Sequence, residues 1–263
     1  MAAVLAAMGI ITPMTNSAQT ATYGTDPGAW IHLWQLISPS LPIGAYAYSQ
    51  GLETAVEKNW INNESEALNW IKGILTHSLG KLDAPVLARL YQAWHANDAK
   101  ALNYWNQFLL ASRESSELYE EDQQMGRALW RLLNDILPVT NDSSENDEKI
   151  TAIEHYRTLM SDMTTPGYAA IFALAAVIWK IPLQEGIRGF LWAWCENQVA
   201  ASIKLIPLGQ TAGQRILSTL IPVINESTKQ ALELSDDEIG ALAPGFSIVC
   251  AQHEVQYSRL FRS

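Results

Sequence analysis

Three carboxylates, Glu114, Glu117 and Glu121, recur at steps of three and four, a spacing that sets them along one face of a helix. Such a row could do two kinds of chemistry. Joined to histidines it could hold metal ions, and a metal-dependent all-helical enzyme built on Glu114–Glu121 is the enzymatic reading open to this chain. Di-iron bundles need a Glu-x-x-His pair on each of two helices, and the sequence contains none. Without a metal, the row is a solvated stripe or a docking face for a basic partner, with Arg113 spaced to pair with Glu117 at i,i+4.

Other chemistries find even less. Gly80-Lys81 is followed by Leu82, and Leu75 stands where a phosphate-binding loop has its first glycine, so nucleotide binding belongs to a partner if to anything. His253-Glu254 is half of a zinc-protease motif whose second histidine position is Tyr257. Cys250 and His253 have C-x-x-H spacing, but no other Cys or His is close in sequence to complete a metal site. There is no Gly-x-Ser-x-Gly elbow, and His32, His77, His95, His155 and His253 are scattered singly. No catalytic residue, metal ligand set or cofactor site is assigned; the expectation is a non-enzyme.

Binding chemistry is better represented. The chain finishes Tyr257-Ser258-Arg259-Leu260-Phe261-Arg262-Ser263, an apolar pair flanked by arginines. Apolar anchors and arginines dominate binding energy at interfaces, so this stretch reads as a partner-binding tail, mobile when the protein is alone. The alternative is a tail folded back onto its own bundle. Lys204, among apolar residues, is either a snorkelling lysine or a cation offered to a partner. Tyr46 and Tyr48 lie in a Pro/Gly-containing turn, packed inward or facing a partner.

The elements that must position these residues are helical. The 263-residue chain is 48% hydrophobic, with a mean hydropathy of −0.01, enough for a buried core. Seventeen Lys+Arg against 27 Asp+Glu give a formal charge of −10, which disfavours nucleic acid and anionic membranes as partners. Two distant cysteines form no disulfide framework. Residues 1–28 start apolar but contain no Lys or Arg, so they read as a disordered leader and not a secretion signal; a cytoplasmic protein is expected.

Helical spacing runs through Leu68, Ile71, Leu75 and Leu79, then Leu87, Leu90, Tyr91 and Trp94, then Leu102, Trp105 and Leu109. Leu118, Met125, Leu129, Leu132 and Ile136 continue it in a long charged helix stopping before Pro138. Residues 138–149 read as an acidic surface loop. Helices resume over Ile153–Met160, Tyr168–Trp179 and Leu183–Leu205, and another restarts after Pro207. These spacings predict an all-α fold, a single-domain bundle of about nine or ten helices over residues 29–240, with 241–263 as the partner-binding tail.

Four segments then become specific. They are Leu36-Ile37-Ser38-Pro39-Ser40-Leu41-Pro42-Ile43-Gly44-Ala45-Tyr46-Ala47-Tyr48-Ser49-Gln50-Gly51-Leu52-Glu53; Ser112-Arg113-Glu114-Ser115-Ser116-Glu117-Leu118 with Glu121-Asp122 and Gln124-Met125-Gly126-Arg127; Ala200 to Gln214; and His253 to Ser263. Together they resemble the UreF family of urease accessory proteins from about Trp30 onward. The resemblance implies a cytosolic helical homodimer that binds UreD (also called UreH) and recruits the GTPase UreG. It further implies delivery of nickel into apo-urease on GTP hydrolysis, with this chain as scaffold and regulator. Carried onto this sequence, the implied partner-binding residues are Tyr46, Tyr48, Glu114, Glu117, Glu121, Lys204, Gln210, His253, Glu254, Tyr257, Ser258, Arg259, Leu260, Phe261 and Arg262.

Overall fold

The computed structural model describes residues 27–137, 154–160, 163 and 165–263. The leader, apart from Pro27 and Gly28, and the acidic loop expected over 138–149 lie outside the described residues. Ten α-helices are seen among those described: α1 Pro27–Leu36, α2 Leu52–Glu57, α3 Glu64–Ile74, α4 Asp83–Ala96, α5 Ala99–Ala111, α6 Ser116–Ile136, α7 Tyr168–Ile178, α8 Leu183–Leu205, α9 Gln210–Glu233 and α10 Pro244–His253. Residues 154–160 are also helical. The all-α expectation holds.

Local chemistry sets the boundaries. Asn63, Asp98 and Ser115 cap α3, α5 and α6, each side chain accepting a backbone N–H three residues on, at 3.0, 3.0 and 3.2 Å. α4 ends at Asn97 in the left-handed conformation, φ 56°. α6 stops before Pro138, whose ring disfavours helix in the preceding residue. Pro207 separates α8 from α9, and Gly209 is the residue from which α9 starts.

The core forms around α7. Its residues Ala169 to Ala176 are all buried, as a helix apolar on every side requires, and it packs between α4 and α6. Alanines let those helices approach closely, and Trp94 Nε1 of α4 donates to the Ala170 carbonyl at 2.8 Å, satisfying the one polar atom of a fully buried indole. α8 and α9 pack on each other and cover the opposite side of α4. No helix among the described residues is long and apolar enough to cross a membrane.

The structure departs from expectation in the last twenty residues. The segment read as tail contains α10, started by Pro244 at its first turn. Phe246, Val249, Cys250 and His253 share its buried face, the i, i+3, i+4, i+7 pattern of an amphipathic helix. α10 packs on α2 where Gly51 begins that helix with φ 74°. A Cβ there would lie 2.7 Å from Val249 Cγ2 and 3.1 Å from the Cys250 amide, so glycine serves both the turn and the close approach.

Candidate partner-binding site

Glu53, in α2, is the centre of the arrangement. It is 8% exposed, and its two carboxylate oxygens accept the backbone N–H groups of Leu260 at 2.7 Å and Phe261 at 2.9 Å. A buried carboxylate needs donors, and the extended strap after α10 provides them. Completely buried His253 bridges the same region, with Nδ1 2.7 Å from Glu117 Oε2 and Nε2 3.5 Å from Glu53 Oε2. Arg259 closes the set by donating to Glu117.

The end of the strap is held as firmly. The Ser263 main-chain oxygen accepts from Ser49 N at 2.6 Å, Gln50 N at 2.8 Å and Ser49 Oγ at 2.6 Å. Ser263 Oγ donates to Glu121 at 2.8 Å, and Gln50 Nε2 donates to the other Glu121 oxygen at 2.7 Å. Thr54 Oγ1 donates to Gln256 Oε1 at 2.7 Å, and Arg262 N donates to the Ala47 carbonyl at 2.7 Å. Phe261 is buried, and the Lys204 ammonium lies 5.5 Å from its ring centroid, within reach of a cation–π interaction.

The three carboxylates of the sequence row therefore meet the C-terminal segment. Glu114 accepts the Ser247 hydroxyl, Glu117 engages His253 and Arg259, and Glu121 engages Ser263. Glu254 reciprocates by accepting from Ser116 N and Oγ, both at 2.7 Å, which caps α6 and holds its carboxyl below the usual range. Tyr48 is buried, its hydroxyl donating to Gln124 at 2.8 Å; that side chain also accepts from Arg262 at 3.4 Å. Tyr46 instead lines a shallow groove with Leu36, Pro39 and Glu196, and burial raises its phenol. Gln210 is exposed at the first turn of α9.

Two expectations change. Arg113 does not pair with Glu117: it precedes α6, so helical spacing does not apply to it, and its guanidinium goes to Asp83 and Asp122. The tail is not a free end, because Phe261 and Ser263 are buried against the bundle's own residues. What the segment leaves outward is Val255 at 84%, Tyr257 fully exposed and Leu260 at 66%, with Leu242 and Ile248 nearby in sequence and also exposed. Sequence reading missed Glu53, Gln50, Thr54 and Ser263 as parts of the site. From the sequence alone Ser49 to Glu53 reads as the start of a helix, with the polar side chains of Ser49 and Gln50 beside Gly51 as the one local signal of more.

Burial pushes the Glu121 carboxyl up to about 7, although the Gln50 and Ser263 hydrogen bonds work to lower it. Between the ordinary carboxylate value and about 7 the folded chain keeps a proton that the unfolded chain has lost, so this group's contribution to stability falls as pH rises through that window and is level above it. Glu121→Gln is expected to be more stable than the parent at about pH 8 and to lose that advantage by about pH 5, a change on the order of 3 kcal/mol. Urea midpoints of both proteins at the two pH values measure it; an advantage independent of pH would count against the titration of Glu121.

The UreF family model matches residues 61–221 of this chain. The chain is similar to the urease accessory protein UreF of Alkalilimnicola ehrlichii, 48% identical over 240 residues that cover 91% of this chain and 98% of that protein. It is similar to the UreF of Marinobacter nauticus, 44% identical over 91% of this chain and 97% of that protein, and to the UreF of Hahella chejuensis, 42% identical over 90% and 99%.

Proposed function

This chain belongs to the UreF family of urease accessory proteins, and from that premise we propose that it is a non-catalytic scaffold joining UreD (UreH) to the GTPase UreG for GTP-dependent insertion of nickel into apo-urease. On this reading it works in the cytoplasm as a homodimer, without nucleic acid or membrane as a partner. The α10 arm and the helices beside it, with Glu114, Glu117, Glu121 and Lys204, form the UreD side. The dimer face receives UreG.

One observation carries the reading: apolar side chains exposed on a segment that is itself pinned down. Val255, Tyr257 and Leu260 stand in solvent, while their neighbours His253, Phe261 and Ser263 are buried in a polar latch. A pinned backbone presents anchors with most of their ordering entropy already lost, which favours association. The enzymatic alternative has no such support. Glu114, Glu117 and Glu121 are each engaged by protein partners, and no group of three or more metal-ligating residues is arranged to hold an ion among the described residues.

Because Tyr257 and Leu260 are exposed, the double substitution Tyr257→Ala/Leu260→Ala is expected to leave the melting temperature unchanged. Capture of UreD is expected to weaken by roughly tenfold or more, the loss typical of one or two interface anchors. Capture at parental affinity by the double variant in a quantitative pull-down rejects this surface as the UreD site.

A further inference from the structure

Between α1, α8 and α9 runs an open groove of about 220 Å³. Trp34 and Ile37 line it from the α1 side, Gly189 and Trp192 from α8, and Ile221 and Ile224 from α9. Gly189 brings two of the walls together: a Cβ there would lie 2.6 Å from Leu33 Cδ1 and 3.1 Å from Ile37 Cγ2, so the missing side chain lets α1 settle on α8. Nothing in the described bundle closes over the groove. Trp34 is 63% exposed and Ile221 48%, and Ile31, three residues before Trp34 on the same face of α1, is also 63% exposed. The polar residues at the groove are already partnered, since Arg188 donates to Glu185 and, at 3.0 Å, to Asn225 Oδ1. What is left for an occupant is apolar surface without a net charge to pair with, and such a patch marks an interaction site.

The chain supplies an occupant of matching chemistry. Met1 to Met14 contains Val4, Leu5, Met8, Ile10 and Ile11, and the first charged side chain of the whole sequence is Asp26. In a protein of formal charge −10 such an uncharged apolar stretch suits an uncharged apolar groove. The tether fits as well. The stretch joins the bundle at Pro27, the first residue of α1, and α1 is itself one wall of the groove. Trp34 lies about 10 Å from the start of that helix at ~1.5 Å per residue, whereas residues 15–26 reach up to ~40 Å when extended. A tether of this length holds its ligand at an effective concentration on the order of millimolar. At lower protein concentrations the chain's own segment therefore outcompetes the same apolar contact from a second copy.

We propose that Met1–Met14 docks into this groove of its own chain, covering Trp34 and Ile221. The inference stands apart from the partner-binding reading, because the groove shares no residue with the latch around Glu53, Glu117, Glu121 and His253.

Photocrosslinking in the full chain tests it. p-Benzoylphenylalanine replaces Trp34 in one variant and, as a control outside the groove, Tyr104 in another, which is 59% exposed on α5. Each variant is irradiated as an equal mixture of light- and heavy-nitrogen chains, and the linked peptides are identified by mass spectrometry. The expected products join position 34 to Met1–Met14 within chains of one isotope, at several times the yield seen from position 104. Products from position 34 that join the two isotopes would put a second copy in the groove, and an equal yield from position 104 would mean collapse without a site. Either result overturns the proposal, as does the absence of Met1–Met14 from the products of position 34. Stability gives an independent reading. Deleting Ala2–Met14 is expected to lower the melting temperature of the parent by about 2–4 °C. The same deletion is expected to change nothing once Ile221→Asp, at a half-exposed position that tolerates the change, has put a charge in the groove. Equal shifts in the two backgrounds count against docking.

Discussion

Replacing Arg113 by methionine is expected to lower the unfolding free energy by roughly 3–5 kcal/mol, the usual cost of removing one partner from a buried ion pair. The geometry explains why the effect should be at the high end for a single substitution. The Arg113 side chain is 18% exposed and bonds two aspartates that are 6% and 4% exposed. Burial by itself would lower the pKa of the guanidinium, yet Asp83 and Asp122 outweigh it and hold the group above its ordinary value, so it stays charged at every working pH. Methionine fills the volume but strands two carboxylates. Asp122 also accepts the first amide of α7, so its misplacement reaches the helix at the centre of the core. Urea unfolding checks the magnitude. The triple variant Arg113→Met/Asp83→Asn/Asp122→Asn should recover much of the loss, since it removes the uncompensated charge; failure to recover would show that the lost hydrogen bonds, and not the charge, carried the effect.

How Arg113 was misread shows what sequence spacing can and cannot settle. Helical periodicity is a local property, and α3, α5, α6 and α9 follow their apolar spacing because each presents one face to the core, whereas α4 is buried on several sides. The i,i+4 rule gave Glu117 as the partner of Arg113, but the rule holds only within a helix, and Ser115 begins the cap of α6 after Arg113 has passed. Its true partners are 30 residues upstream and nine downstream, distances at which pattern carries no pairing information. α10 is a different case. Phe246, Val249, Cys250 and His253 have the spacing of a helical face, but Gly240, Pro244 and Gly245 beside them carry the composition of a turn, although Pro244 is a good first-turn residue. The segments resembling UreF marked the right stretches of chain, including Ser49 to Glu53 and His253 to Ser263. They did not say that these two stretches bind each other, because Glu53 meets Leu260 and Phe261 across 207 and 208 residues.

That contact makes truncation the second large effect. Deleting Leu260 to Ser263 is expected to destabilise the bundle, not to leave it intact as a free tail would. Removing Phe261 gives up roughly 2–3 kcal/mol of apolar burial. Glu53 loses two amide donors, Glu121 loses the Ser263 hydroxyl, and the Ser49 and Gln50 amides lose their acceptor; each buried group left unpaired costs about 1–3 kcal/mol. The deleted residues no longer incur their ordering cost of about 1–2 kcal/mol of backbone entropy apiece on folding, so the net loss is on the order of 3 kcal/mol. A shift of the urea midpoint to lower concentration, with more rapid proteolysis around α10, is the expected observation; an unchanged midpoint would mean that the latch is open in solution. Loss of UreD capture by this truncation is thus ambiguous, since it removes the anchor and loosens its support together. Leu260→Ala isolates the first role because the side chain is mostly exposed, and Phe261→Ala isolates the second because the ring faces inward beneath Lys204. If capture fails only with Leu260→Ala, the strap is the interface; if only with Phe261→Ala, the strap is the scaffold on which another surface of the arm is presented.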